Sequence, residues 1–327
     1  MPATSHTTHL NRSITSYLTL ELCPALGIAP VFDEVAFPAN SAKSYSLEVR
    51  PRNASPFVVH CLKSAARAEE LIQASNFAES RLLPTPHLRY SNSSRKHLRD
   101  HHFAVVVHDL VPGRRLKAGE LTPHQVTGLA ASLARLNAVE NSQWGSIRNL
   151  HARNYFESAV QTKIEHRLAS ISTFDEDFRK EWKSDILRFV RNFKHDWGGA
   201  PPFALIHEKL NLGSVVFDSD KRVIFTDVES LRFGAPGRDL VSALHYFCSP
   251  GEQQQLLKQV YFSLLPEPRA AHFEKFEPLY RVWLHINRWA ARSQALHGKH
   301  HSSAELGALR LGREREREAI WYWLNRN

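Results

Sequence analysis

Two apolar runs near the start of the chain, "SYSLEVR" and "FVVHCL", alternate hydrophobic with polar positions and flank the turn-prone "PRNASP". Successive side chains of a strand point to opposite faces, so this alternation predicts a β-hairpin. Behind it, "SAARAEELIQASNFAES" is rich in helix formers and opens on Ser64, whose hydroxyl suits an N-cap; a helix is expected here. "FAVVVHDLVPG" predicts another apolar strand, ended by Pro112 and Gly113, whereas the polar "SNSSRKHLRDHH" reads as a loop.

Beyond Gly113 the hydrophobic spacing changes to that of a helix. Thr122, Pro123 and Gln125 fit an N-cap, a first-turn proline and a capping-box partner, with Val126, Leu129, Leu133 and Leu136 on one face behind them. Phe178, Trp182, Ile186, Phe189, Val190, Phe193 and Trp197 make a second stripe, expected to end at Gly198 and Gly199. "VVFDSDKRVIFTD" predicts a short hairpin standing among helices. Helical patterns resume from Asp239, punctuated by Pro250, Pro266, Pro268 and Pro278. This order predicts an α+β protein of two lobes. Residues 1–34 would form an N-terminal extension, 35–112 a strand-rich lobe with one helix, and 113–327 a mainly helical lobe carrying the hairpin.

Composition narrows the class. A chain of 327 residues with 43% hydrophobic content can bury a sizeable core. Its start has neither a basic n-region followed by an apolar run nor a small-residue cleavage site, and no later segment has the apolar length of a membrane span. Cys23, Cys61 and Cys248 are far apart and in no metal-like spacing, which suits thiols in a reducing compartment. The expectation is a soluble cytoplasmic protein. A net charge of +9 permits an anionic partner, but the basic residues are scattered and no nucleic-acid reading motif is present. The histidine-rich "HLRDHH" and "HGKHH" lack an acidic third ligand beside a helical pair, and read as surface histidines.

Three segments carry chemistry. "FALIHEKLNLGSVVFD", "VIFTDVESLRFGAPGRDLVSAL" and "FAVVVHDLVPGRRL" occur in the order and on the elements of a kinase's catalytic loop, metal-binding segment and hinge. Together they resemble the aminoglycoside phosphotransferase and choline kinase-like family, relatives of protein kinases. The resemblance implies a two-lobed protein-kinase-like fold from about residue 35 to the C-terminal helices. It also implies a nucleotide, ATP or another, with magnesium as cofactor, and a small-molecule acceptor.

Residue by residue the resemblance departs from the family's chemistry. In the loop led by His207, the place of the carboxylate that takes the acceptor's proton belongs to Lys209, and the place of a metal-binding asparagine belongs to Ser214. Asp227 matches the metal-binding aspartate, and Asp239 matches the buried aspartate that braces the loop. The strand lysine that pairs with phosphates aligns with His60, and Glu69 or Glu70 would be its helical partner. Val107 and Asp109 on the hinge strand complete the expected nucleotide contacts, with Lys209 as a fixed charge toward phosphate. The glycine-free "PANSAKSY" would be the phosphate-covering turn. A cation cannot accept a hydroxyl proton, so the reading is a pseudokinase that binds a nucleotide or other anionic ligand in a cleft between the lobes with little or no phosphotransfer. Two alternatives stand beside it. One is an active phosphotransferase using Glu208 and Asp227; the other is a non-catalytic scaffold for a protein partner.

Overall fold

The computed structural model describes residues 14–41, 44–98, 101–152, 155–199, 203–218, 220, 222–297 and 301–326. The chain divides into two compact units: Met1–Leu116 with Ser146–Asn149 and Leu212–Arg232, and Lys117–Gly145 with Leu150–Asn211 and Phe233–Asn327.

The first unit is built on an antiparallel sheet of β1 (Phe32–Ser41), β2 (Ser44–Pro51), β3 (Phe57–Leu62), β4 (Leu88–Leu98) and β5 (His101–Asp109), in the order β1-β2-β3-β5-β4. The predicted hairpin is β2 and β3, with Leu47 opposite Val59 and Val49 opposite Phe57. Alternation puts these residues, with Cys61, Val105 and Val107, on one face, where they bury against Ile14, Tyr17, Leu18, Leu22 and Cys23. The segment before the first strand is therefore part of this unit's core. On the other face lies helix α1 (Ala65–Ser80), capped as expected by Ser64, whose hydroxyl accepts from the Arg67 N–H at 3.4 Å.

One expectation is overturned here: "SNSSRKHLRDHH" is not a loop. Its backbone pairs as β4 and β5, with His97 opposite His102 and Leu98 opposite His101. β4 is an edge strand, so one neighbour supplies its hydrogen bonds. The side chains of 93–103, and residues 42–43 of the "PANSAKSY" turn with the side chains of 37–45, lie outside the described residues.

The second predicted hairpin is β10 (Val215–Phe217) with β11 (Val223–Phe225), and it belongs to the first unit. Arg114, just past the hinge, bridges to Phe217 through two backbone hydrogen bonds of 2.8 and 2.9 Å. Gly113 makes this approach possible, because a Cβ there would overlap the Phe217 carbonyl and the Val216 side chain. Neither backbone nor buried strand can yield, so Gly113→Ala is expected to cost about 2 kcal/mol or more, read as a lowered denaturation midpoint at unchanged m-value.

In the second unit, short strands β6 (Glu140–Asn141), β7 (Trp144–Ser146), β8 (Leu150–His151) and β9 (Phe203–Ile206) are accompanied by helices. These are α2 (Pro123–Asn137), α3 (Thr162–Phe174), α4 (Lys180–Asn192), α5 (Gly237–Tyr246), α6 (Glu252–Ser263), α7 (Pro268–Leu296) and α8 (Ser303–Leu324). The capping box of α2 is present, with the Thr122 N–H donating to Gln125 Oε1 at 2.9 Å and the Gln125 N–H to Thr122 Oγ1 at 3.4 Å. The aromatic stripe ends differently from expectation. α4 stops at Asn192, and Trp197 sits on a following short 3₁₀ turn, stacked on Tyr155 at 5.4 Å and edge-on to Phe276 at 4.9 Å. The half-buried ring packs among other aromatics, but the backbone that delivers it is not α-helical. Pro278 does not punctuate either: α7 runs 29 residues through it. The lost hydrogen bond is offset by the buried row of Phe276, Leu279, Tyr280, Val282 and Trp283 around it.

Candidate functional site

Four segments of the second unit enclose one cavity of about 900 Å³. The first turns of α3 supply Thr162, Lys163, His166 and Arg167, and the loop after β9 supplies Glu208 to Asn211. One stripe of α5 supplies Arg238, Ser242 and Tyr246, while α7 offers two adjacent rows, Tyr280, Leu284 and Arg288 at spacings of four, and Trp283 and Asn287 four apart. Gly237 lets α5 come close, since a Cβ there would collide with the ring of Tyr280.

β9 carries the chain into the loop as a buried strand, and His207 at its end is fully buried. The His207 N–H donates to Asp239 Oδ2 at 2.6 Å, tying the loop to α5. Burial pushes the Asp239 carboxyl up to about 7, against the backbone N–H groups of His207 and Glu208 and the Arg238 guanidinium, which all favour the anion.

Glu208 follows with a left-handed backbone, φ 46°, a conformation that costs a non-glycine residue about 1 kcal/mol. The surroundings hold it there. Glu208 Oε1 accepts from Lys163 Nζ at 2.5 Å and from Arg238 Nη1 at 3.2 Å, and the side chain is 12% exposed. Arg238 lies over the ring of Trp283 at 3.8 Å. Burial works against its charge, yet Glu208, Tyr155 and Asp239 together outweigh it and the guanidinium is shifted upward. Lys209, the next residue, is exposed and lines the cavity beside them.

The remaining expected residues fall in the first unit. Ser214 and Asp227 are brought together at the open end of the β10 and β11 hairpin, where the Thr226 N–H donates to the Ser214 carbonyl at 2.9 Å. Asp227 is exposed with φ 56°, and its carbonyl accepts from the Ser230 N–H at 2.8 Å. Ser214 is fully buried. For magnesium this set offers one accessible carboxylate. That fits an ion which keeps waters and shares substrate phosphates, with Asp227 as the protein ligand. Among the described residues no three acidic, histidine or cysteine side chains are grouped to hold a metal.

His60 sits on the face of the sheet that carries α1, with Ser46 Oγ 3.3 Å from its Nδ1 and the His108 ring at 5.4 Å. Burial holds its imidazole below the ordinary range, opposed in part by the Glu229 carboxylate. His108 is held down to about 3 by burial and by His60 and His87, and its Nε2 lies 2.8 Å from Ser75 Oγ on α1. The His60 imidazole is thus biased toward its neutral form. The structure does not bring Val107 or Glu69 to His60: Val107 is buried on the opposite face, and Glu69 is paired with Arg148 at 2.6 Å. Asp109 is paired with Arg89, which also donates to the carbonyls of Ser55 and Pro56.

The cations of the cavity, Lys163, Arg167, Arg238 and Arg288, were not expected from the sequence. The signal existed only in part: Lys163 and Arg167 are four apart on one helix, and Arg238 adjoins the bracing aspartate. Nothing local to α7 announces that Arg288 faces the same space.

A sequence model described as the Phosphotransferase enzyme family matches residues 55–282. No curated protein matches the chain. Among solved structures, an amicoumacin kinase in complex with AMP-PNP, calcium and its antibiotic superposes with a TM-score of 0.61 at 14% identity, covering 88% of each chain. The macrolide 2'-phosphotransferase MphH from Brachybacterium faecium gives 0.55 at 15%, covering 94% of this chain and 98% of that one. The streptomycin, ATP and APH(2")-IIa ternary complex gives 0.55 at 13%, covering 88% and 94%. At these identities the structures speak for the fold, which is the two-lobed kinase-like one expected, while the family match takes in well over half of the sequence. The chain belongs to the phosphotransferase enzyme family.

Proposed function

We propose that the chain is a pseudokinase of this family, which binds a nucleotide with magnesium, or another anionic ligand, with little or no phosphotransfer. The reading starts from the motif resemblance that assigns Lys209 to the place of the family's proton-accepting carboxylate, and one observation supports it: the adjoining carboxylate, Glu208, has an oxygen shared by two cations. A carboxylate so engaged is a poor acceptor for a hydroxyl proton, since protonation would forfeit both partners. The neutral His60 adds to it, because phosphate binding there loses a fixed positive charge.

The test is a thermal-shift titration with ATP and magnesium beside an assay of phosphate release from labelled ATP. A ligand that binds only the folded state raises apparent stability by about 2.7 kcal/mol at one hundred times its dissociation constant. Stabilisation with background turnover is the expected result. Turnover at the rate of a working kinase would refute the proposal, and silence toward every nucleotide would leave a protein-binding scaffold.

A second reading, an active enzyme with Glu208 as base and Asp227 holding metal, has one point in its favour. Glu208 combines a left-handed backbone with a place on the cavity wall, and strained residues cluster at functional sites. Glu208→Gln separates the two. The pseudokinase reading expects a stability loss of about 2 to 4 kcal/mol, from two cations deprived of their counter-charge, and no change in an already negligible turnover. A fall of about a hundredfold in measurable turnover would establish the second reading instead.

A further inference from the structure

The cavity of the second unit is electrostatically one-sided. Lys163, Arg167, Lys209, Arg238 and Arg288 line it against a single carboxylate, Glu208, which leaves a formal charge of +4. Counter-charges behind the wall do not cancel this. Glu316 on α8 accepts from Arg288 Nε at 2.8 Å, but also from Arg292 at 3.2 Å and from His285 at 2.7 Å, so its charge is divided among several donors. Arg167 donates through Nε to Asn287 Oδ1 at 3.0 Å, a neutral amide that orients the guanidinium and leaves its charge uncompensated.

A ligand entering this space meets a low-dielectric wall of Tyr280 and Trp283, both 2% exposed or less, behind the cations. Field lines concentrate in such a recess, so its charge acts more strongly than the same residues on an open surface. The volume of about 900 Å³ is that of a small-molecule site and is too large for a single phosphate. A polycationic antibiotic would have to overcome the repulsion of five cations there.

We infer that this cavity takes a small polyanion, a metabolite bearing two or more phosphate or carboxylate groups, held by Arg167, Arg288 and Lys209 over the Trp283 and Tyr280 wall. The inference rests on the reading of the chain as a ligand-binding member of its family. Its test uses binding alone, so failure here is distinct from failure of the claim about turnover.

The experiment is isothermal titration of the full chain at low ionic strength with pyrophosphate, citrate and streptomycin, repeated on Arg167→Glu and Arg167→Gln. Arg167 is exposed and, among the described residues, donates to a neutral amide, so both variants are expected to keep the wild-type melting temperature. Pyrophosphate or citrate is expected to bind with a dissociation constant of about 1 mM or tighter, weakening as salt is raised. The better of the two identifies phosphate or carboxylate as the preferred group. Affinity should fall about threefold in Arg167→Gln and tenfold or more in Arg167→Glu, with no heat from streptomycin in the wild type. Three outcomes overturn the inference: no binding of either anion, anion affinity unchanged in Arg167→Glu, which would place the anion elsewhere in the chain, or binding of streptomycin by the wild type.

Discussion

Lys209→Asp is expected to raise magnesium-dependent phosphate release from ATP by about a hundredfold over the wild-type chain. A positioned general base supplies about 10² to 10⁴ in rate, equivalent to roughly 3 to 5 kcal/mol of barrier. The lower end applies, because His60 remains neutral and Ser214 remains buried in the variant, so phosphate contacts and metal ligation are not improved. The exchange also removes one of the five cations of the cavity and restores the charge of the family's loop. Lys209→Ala is the control: it deletes the ammonium without supplying a base and should gain much less. If the wild type releases phosphate at the rate of a working kinase and Lys209→Asp slows it, Lys209 belongs to the machinery and the pseudokinase reading fails.

Asp239→Ala carries the second large effect, expected at about 3 to 5 kcal/mol of stability. The truncation orphans the buried His207 N–H, which now donates at 2.6 Å, and takes the neighbouring carboxylate from Arg238. Asp239→Asn keeps an acceptor in place and should cost much less, which separates the hydrogen bond from the charge. It also exposes a pH dependence. The folded-state value of about 7 lies above the ordinary carboxylate value of about 3.9, so the folded chain holds this proton more tightly than the unfolded one. The contribution of that proton is fully present below about pH 4 and is lost as pH rises toward 7. The stability of the wild type relative to Asp239→Asn should therefore decline between those limits, by up to about 1.4 kcal/mol per unit, and level off above them. Chemical denaturation of both proteins across pH 4.5 to about 8 measures it; a difference that rises with pH would contradict the assignment.

Much of the local structure could be read without coordinates. The Ser64 cap, the Thr122 and Gln125 box, and the pairing of "SYSLEVR" with "FVVHCL" are short-range matters, decided by side chains within a few residues of the backbone they serve. The failures have a common cause. The polar strand β4 is held by β5, which is itself fixed by β3, and α7 passes through Pro278 because its aromatic row is buried where α3, α5 and α8 pack on this helix; those outer partners are distant in sequence. Trp197 was recognisable as an aromatic packing residue, but not the 3₁₀ turn that delivers it.

The site divides in the same way. Sequence alone determined which residue types stand in the three motifs: Lys209, Ser214 and Asp227 are assigned to catalytic positions by the resemblance of those motifs, and their chemistry follows from identity without geometry. Only the tertiary structure decided that Glu208 is held between Lys163 and Arg238, that the half-buried His60 packs against His108, and that cations from α3, α5 and α7 face one cavity. The physical reason is range. A side chain's identity and its covalent neighbours are local properties, whereas the charge and solvation that set its chemistry are sums over groups that meet only when distant segments pack together.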